Sequence, residues 1–224
     1  MNRFCLIVCA LQLTVSFTLA FSINSHPVKL KSTAIKAINN YVPADKRSIF
    51  IFGLGYVGTA LATSLLKDGW KVCGTCTNVI KIRSLRSLGI EAYLFDEDSG
   101  RMVQPEAVAN LADCSYVLST VPPVGGGSTV TDIVLREHAT DLKRSALAGK
   151  LSWVGYISST GVYGDRNGAW VNEDAELRPE NQKTKLRAAA EAEWRELYQR
   201  RFVHIIYTML DNTQLLSIYM LWTS

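Results

Sequence analysis

The sequence predicts an α/β fold, a doubly wound parallel sheet, over residues 48–209. Three observations lead to it. Short apolar runs alternate with segments of helical periodicity from residue 48 onward, and such alternation implies right-handed crossovers and parallel strand pairing. Three glycines, Gly53, Gly55 and Gly58, stand between the first apolar run and the first helical segment. Finally, 224 residues, 48% of them hydrophobic, suit one domain with a substantial core and leave little for a second.

The elements follow in order. "SIFIFGLG" is a short apolar run ending in glycine, a first strand. In "YVGTALATSLLKDG", Val57, Leu61, Leu65 and Leu66 recur near helical spacing, and Gly69 closes the segment. "WKVCGT" reads as a second strand. "TNVIKIRSLRSLG" sets Val79, Ile82, Leu85 and Leu88 three apart on one helix face. "IEAYLFD" is a third strand, and "QPEAVANLAD" a helix with proline near its start. "CSYVLSTV" is a fourth strand, followed by a "PPVGGGS" loop and a helical segment over roughly 129–147. "SWVGYISST" is a fifth strand. "ENQKTKLRAAAEAEWRELYQRR", rich in Ala, Glu, Arg and Leu, is the strongest helix in the chain. "VHIIYTM" is a sixth strand, and residues 210–224 are expected as a short apolar tail, with a helix covering the sheet edge as the alternative.

Charge is unevenly distributed. The net charge is +4, from 24 basic and 20 acidic residues. Residues 1–47 hold six of the basic ones (Arg3, Lys29, Lys31, Lys36, Lys46 and Arg47) and only Asp45 of the acidic ones. That leaves 18 against 19, a net of −1, for the rest of the chain. No basic stripe with interleaved aromatics remains for nucleic acid. Residues 1–20 read as a signal peptide: Arg3, an apolar run of 17 residues, then Thr18 and Ala20 at a small-residue cleavage site. Residues 21–47 are basic and almost free of acid, like a transit peptide. This two-part leader resembles the plastid-targeting leaders of algae with secondary plastids. Plain secretion is the alternative. With the leader removed, no stable membrane span is expected.

Five cysteines do not form a disulfide framework. Cys5 and Cys9 fall in the leader, leaving Cys73, Cys76 and Cys114 in hydrophobic surroundings. "CGTC" matches C-x-x-C but lies at a strand end, whereas a redox pair sits at a helix start that stabilises the thiolate. Core cysteines are the expectation, a thiol-based activity the alternative. No metal site is expected.

Gly53, Gly55 and Gly58 spell G-x-G-x-x-G between a strand and a helix. Gly53 permits a tight turn, Gly55 lacks the Cβ that would strike a pyrophosphate, and Gly58 lets the helix pack close to the sheet. The helix start, at Tyr56 and Val57, then offers free N–H groups and partial positive charge to phosphates. This is the dinucleotide-binding signature of a Rossmann fold. A carboxylate at the end of the second strand would mark NAD. Thr75, Cys76, Thr77 and Asn78 stand there instead, with Lys81 and Arg83 nearby. An uncharged strand end with cations suits a 2′-phosphate, so NADP is expected, with NAD as the alternative. Asp96, in "LFDED", would accept from the adenine amino group or else cap the next turn. Thr120, after the fourth strand, completes the expected cofactor set.

"YISSTGVYGD" followed by "VNEDAELRP" resembles the extended short-chain dehydrogenase/reductase superfamily, the epimerase/dehydratase-like group. The likeness covers residues 48–209, through "GLGYVG", Asp96, "SSTGVYG", the stretch from Glu173 to Pro179, and a helix carrying Glu191. It implies that a Ser or Thr after the fifth strand hydrogen-bonds the substrate, that a Tyr moves a proton, and that a Lys four residues later lowers the Tyr pKa and holds the nicotinamide ribose. Ser159 matches the Ser, with Thr160 as a stand-in. The Tyr and Lys positions fall on Lys183 and Arg187, or two residues away on Asn181 and Lys185. Neither register supplies a Tyr. Arg187 can hold a ribose hydroxyl but cannot accept a proton, and Lys183 would need a lowered pKa to serve as a base. The substrate-binding lobe that the resemblance implies after the sixth strand is not recognisable in the residues after Met209.

The expected function is an NAD(P)-binding, atypical short-chain dehydrogenase/reductase-like protein. It would act as an oxidoreductase or epimerase/dehydratase on a small carbonyl or sugar-nucleotide-like substrate. A non-catalytic dinucleotide-binding or redox-sensing protein is the alternative.

Overall fold

The computed structural model describes residues 42–125, 132–167, 169, 171, 175–197, 203–210 and 215–220. The signal-peptide reading lies outside the described residues, as do Glu173 and most of the transit-like segment. Seven strands form one sheet: β1 Ser48–Phe52, β2 Lys71–Cys76, β3 Glu91–Leu94, β4 Tyr116–Ser119, β5 Trp153–Ser159, β6 Val203–Leu210 and β7 Leu215–Met220. Five helices connect them: α1 Tyr56–Lys67, α2 Val79–Ser87, α3 Pro105–Asp113, α4 Ile133–Leu147 and α5 Gln182–Leu197. The strand order is β3-β2-β1-β4-β5-β6-β7, and the first six pair in parallel. The chain walks from β1 to β3, crosses back, and continues from β4 to β6. That reversal is the switch point of a doubly wound sheet.

Burial follows the two-residue period of a strand covered on both faces. In β1, Phe50 and Phe52 point into a core built with Leu111 of α3, Val134 and Leu142 of α4, and Ala190 and Trp194 of α5. Ile49 and Ile51 point into the opposite core, with Ala62 and Leu65 of α1 and Ile82 and Leu85 of α2. The same parity separates the C-x-x-C cysteines. Cys73 belongs to the first core and Cys76 to the second, so the two thiols stand on opposite faces of the sheet. All three described cysteines are buried and free. Beside the Cys114 thiol and out of water, the Cys73 thiol has its pKa pushed up.

Two expectations need correction. The residues expected as an apolar tail outside the domain supply β7, which pairs antiparallel with β6 from Ile206↔Met220 to Leu210↔Leu215, with an irregularity between Met209 and Leu210. The sheet is therefore parallel except at this edge. A short return suffices for an antiparallel neighbour, whereas a parallel one needs a crossover of a dozen or more residues. At the other end, packing begins before residue 48. Val42 is 2% exposed and joins the second core, and its carbonyl accepts from Arg47 Nε at 3.1 Å.

Helix α5 is fixed to the sheet through buried polar contacts. Ser158 Oγ of β5 donates to the carboxylate of Glu191, which also pairs with Arg195 at 3.5 Å. Asp132 caps α4, accepting from Val134 N at 2.9 Å and Leu135 N at 3.0 Å. Its other oxygen accepts from Trp194 Nε1 at 2.9 Å, and its own N–H donates to Glu193 at 2.9 Å. Burial nevertheless dominates and pushes the Asp132 carboxyl up to about 6.

A carboxyl whose folded pKa is raised binds its proton more tightly in the native state than in the unfolded chain. Its contribution to stability is complete below the ordinary carboxylate pKa and is lost as pH rises through 6. Moving from about 3.8 to about 6 costs about 3 kcal/mol at pH 7 relative to pH 3. The expected outcome is that Asp132→Asn flattens the stability profile: the wild-type-minus-variant difference, from urea unfolding between pH 4 and 7.5, shrinks or reverses as pH rises.

Candidate functional site

The site is built around the turn from β1 into α1. Gly53 has φ +87°, the left-handed region that favours glycine. A Cβ at Gly58 would lie 2.3 Å from the Gly53 carbonyl oxygen, so α1 rests directly on the turn. Threonines from the flanking strands hold that turn. Gly53 N–H donates to Thr75 Oγ1 at 3.0 Å, and Leu54 N–H donates to the Thr75 carbonyl at 2.6 Å. On the other side, Thr120 Oγ1 donates to the Gly53 carbonyl at 2.6 Å. Inside α1, Thr59 N–H is bonded back to the Gly55 carbonyl, and the start of the helix has no side-chain cap.

Gly55 differs from its two partners. Its φ is −74° and its ψ −148°, and a Cβ there would meet no protein atom within 4 Å. Packing within the chain does not require glycine at this position. It borders a cleft of about 370 Å³ along the C-terminal ends of the strands. Phe95 and Glu97 line it beyond β3, Thr75 and Cys76 at the end of β2 with Thr77, Asn78 and Lys81 after it, Gly53, Leu54 and Gly55 after β1, and Thr120, Val121, Pro122 and Val124 after β4.

The expected cofactor residues are thus gathered unevenly. Gly53, Gly55, Thr75, Thr77 and Thr120 border the cleft. Gly58 lies beneath the turn and acts through packing. Tyr56 is 64% exposed, Val57 packs on the second core, and neither side chain lines the cleft. Thr75 and Thr120 spend their hydroxyls on the turn, so they position the backbone. Asp96 does not end a strand: β3 stops at Leu94. Its carboxylate accepts from Ser99 Oγ at 2.6 Å and from Asp98 N at 3.0 Å, and these bonds lower its pKa. Asp96 therefore caps its own turn. Lys81 lines the cleft whereas exposed Arg83 does not. Glu97 and the Val121–Pro122 segment are absent from the sequence expectation. Their signals were the acidic "LFDED" and the proline pair directly after the fourth strand.

The expected catalytic residues lie on β5 and α5, one strand beyond the cleft. Ser159 ends β5, and its Oγ accepts from Gly161 N at 3.3 Å. Thr160 opens the short 3-10 turn Thr160–Tyr163. Asn181 accepts from Thr184 N at 3.0 Å and so caps the helix, which leaves Lys183 and Arg187 as the register inside α5. Lys183 is exposed. Arg187 is half-buried, and its Nη1 donates to the Ile157 carbonyl at 2.9 Å. No Tyr stands at either register. Tyr163 is buried in the first core, and Tyr156 is buried and stacked on Trp194 with ring centroids 5.7 Å apart. Among the described residues no cluster suits a metal ion, and no helix is long and apolar enough to cross a membrane.

A Gly-turn between β1 and α1 at the switch point of a sheet ordered 3-2-1-4-5-6 defines a Rossmann protein. Solved structures of like fold include a short-chain dehydrogenase/reductase superfamily protein from Agrobacterium tumefaciens with bound NAD, at a TM-score of 0.50 and 18% identity over 71% of this chain and 48% of that one. No family model matches the chain. It is 31% identical to Protein YeeZ of Escherichia coli over 133 residues, 59% of this chain and 47% of that protein. A solved structure of a functionally unknown conserved protein from Silicibacter pomeroyi superposes with a TM-score of 0.54 at 30% identity, covering 67% of this chain and 48% of that one. The UDP-glucuronic acid 4-epimerase of Bacillus cereus, solved in complex with NAD, gives 0.53 at 20% identity over 71% of this chain and 55% of that one. The chain spans about half the length of the curated relative and of the first of these structures.

The contact between Gly58 and Gly53 predicts a specific cost. Gly58→Ala places a methyl 2.3 Å from a backbone oxygen, forcing α1 off the turn at about 2–3 kcal/mol. Thermal unfolding followed by circular dichroism should show a fall of roughly 5–10 °C.

Proposed function

We propose that this chain binds a nicotinamide dinucleotide in the cleft at the β1–α1 turn, as an atypical short-chain dehydrogenase/reductase-like protein. The observation that carries this reading is Gly55: a glycine that no packing inside the protein demands, facing open space at the mouth of the sheet. A side chain there would fill the place of a pyrophosphate. The residues present fit such a group. The backbone N–H groups at the start of α1 would hold the phosphates, and Thr75 and Thr120 keep their carrier turn in place. The B. cereus enzyme of like fold, solved with NAD, supports the same cofactor class.

NADP is the preferred form in this proposal. No carboxylate ends β2, and Lys81 lines the cleft beside Thr77 and Asn78, which suits a 2′-phosphate better than a ribose hydroxyl. Bound in the cleft, the dinucleotide supplies a hydride donor or acceptor. Ser159 and Thr160 would then hydrogen-bond the carbonyl or hydroxyl of a small carbonyl or sugar-nucleotide-like substrate, and Arg187 would steady a ribose hydroxyl. In this reading the chain is an oxidoreductase or epimerase/dehydratase. The signal-like segment and the basic segment that follows it, ahead of Val42, support delivery to a plastid, with secretion as the alternative.

One observation favours a second reading. With Lys183 in solvent, Arg187 on the Ile157 carbonyl and no Tyr at hand, the chain lacks the usual proton-moving pair. A dinucleotide-binding or redox-sensing protein without hydride transfer would need none.

The test is nucleotide fluorescence on the full chain. NADPH should bind at least tenfold more tightly than NADH. Gly55→Val should abolish binding of both while leaving the folded far-UV circular dichroism spectrum intact, because its side chain meets no protein atom. Lys81→Ala should weaken NADPH about tenfold and NADH little. Wild-type protein that ignores both nucleotides would refute the proposal. Single-turnover oxidation of bound NADPH by carbonyl substrates, lost in Ser159→Ala, separates the catalytic reading from the sensing one.

A further inference from the structure

We propose that Ser119, Tyr156 and Arg187 hold a water molecule in the interior, between the C-terminal ends of β4 and β5 and helix α5, under the floor of the cleft. Such a site would exist whether or not a dinucleotide binds above it.

Two buried hydroxyls lead to it. Ser119 and Tyr156 are both 0% exposed, and neither Ser119 Oγ nor the Tyr156 hydroxyl has a hydrogen-bond partner among the described residues. The two residues are neighbours. Ser119 ends β4 and stands opposite Tyr156 of β5 in the parallel ladder. Their side chains leave the same face of the sheet, since Val117, two residues before Ser119, shares the first core with Tyr156. Adjacent strands lie only about 4.8 Å apart. A buried hydroxyl without a partner is costly, because it gave up its hydrogen bonds to water on folding. Two of them on facing positions of neighbouring strands call for one explanation.

The groups around them select a neutral guest. Burial pushes the Tyr156 phenol up, and Arg187 of α5 stands near enough for its cation to oppose that rise. Arg187 Nη1 donates to the Ile157 carbonyl at 2.9 Å, which leaves the other N–H groups of the guanidinium fork for other acceptors. Asp132 and Glu191 bring negative charge toward the same phenol. Both carboxylates are already engaged, Asp132 by the start of α4 and Trp194, Glu191 by Ser158 and Arg195. An anion would be repelled by these two groups and a cation by Arg187. Water carries no charge. It accepts from Arg187 and from one hydroxyl and donates to the other, which gives it the three bonds usual for an interior water. Thr120 and Ile133, next in sequence to Ser119 and Asp132, line the cleft, so the water would link β4, β5 and α5 immediately below the site.

The test joins crystallography of the full chain to a double-mutant cycle. A crystal structure that shows ordered waters should hold one peak within hydrogen-bonding distance of Ser119 Oγ, the Tyr156 hydroxyl and Arg187. Tyr156→Phe keeps the ring stacked on Trp194 and removes one anchor, and Ser119→Ala removes the other. Each should lower the melting temperature by about 2–4 °C. The double variant should fall little further than the worse single one, because the same molecule is lost only once. Tyr156→Phe melting at or above wild type overturns the inference, since that change would then have removed an unpaired hydroxyl. Shifts that add in the double variant overturn the shared site. An empty density map at the three groups does the same, and a peak with the anomalous signal of chloride overturns the choice of water.

Discussion

Helix α1 stands on the carbonyl of Gly53, so close that Gly58 has no room for a methyl group. That contact determines where the first helix begins and which way its free N–H groups face. Once α1 is seated, the turn before it must pass through a left-handed conformation at Gly53, and its peptide groups need partners that the turn itself cannot supply. Thr75 of β2 takes the N–H, and Thr120 after β4 donates to the carbonyl. The two strands flanking β1 thereby brace the same residue from either side. What remains uncovered is Gly55, and the mouth of the sheet stays open above it.

Helix α5 is anchored to the sheet through its second half. Glu191 and Trp194, in its second half, are bound to Ser158 and Asp132 in the first core. In its first half, Lys183 is exposed and Arg187 reaches the Ile157 carbonyl of β5. Arg187 contributes a fixed cation that bonds a strand carbonyl. It orients and cannot accept a proton.

Much of the architecture was legible in residue order, because local periodicity is enough to reveal it. The alternation of Phe50, Ile51 and Phe52, the three-residue spacing of Val79, Ile82 and Leu85, and the Ala- and Glu-rich run in α5 each report their element without knowledge of any partner. The G-x-G-x-x-G turn was equally plain, since its meaning lies in backbone that side chains would block. The readings that shifted all depended on pairing. Residues 215–220 have no periodicity that distinguishes a covering helix from an added strand, and only the free edge of β6 selects the strand. Asp96 and Glu97 are neighbouring acids in one polar stretch. Asp96 is held on its own turn by Ser99 and Asp98, and Glu97 borders the cleft.

Sequence alone determined the alternating layers, the glycine turn, the absence of a Tyr at the expected position and the lack of an acid after β2, for these are properties of residue type and spacing. Tertiary structure decided which residues face the cleft. It turned Asp96 onto its own loop and left Glu97 open, sent Cys73 and Cys76 to opposite faces, tied Arg187 to β5 and drew β7 onto the sheet edge. The division has a physical cause: a helix or strand reports itself over a few residues, whereas the direction of a side chain is set by groups distant in sequence that arrive only when the sheet closes.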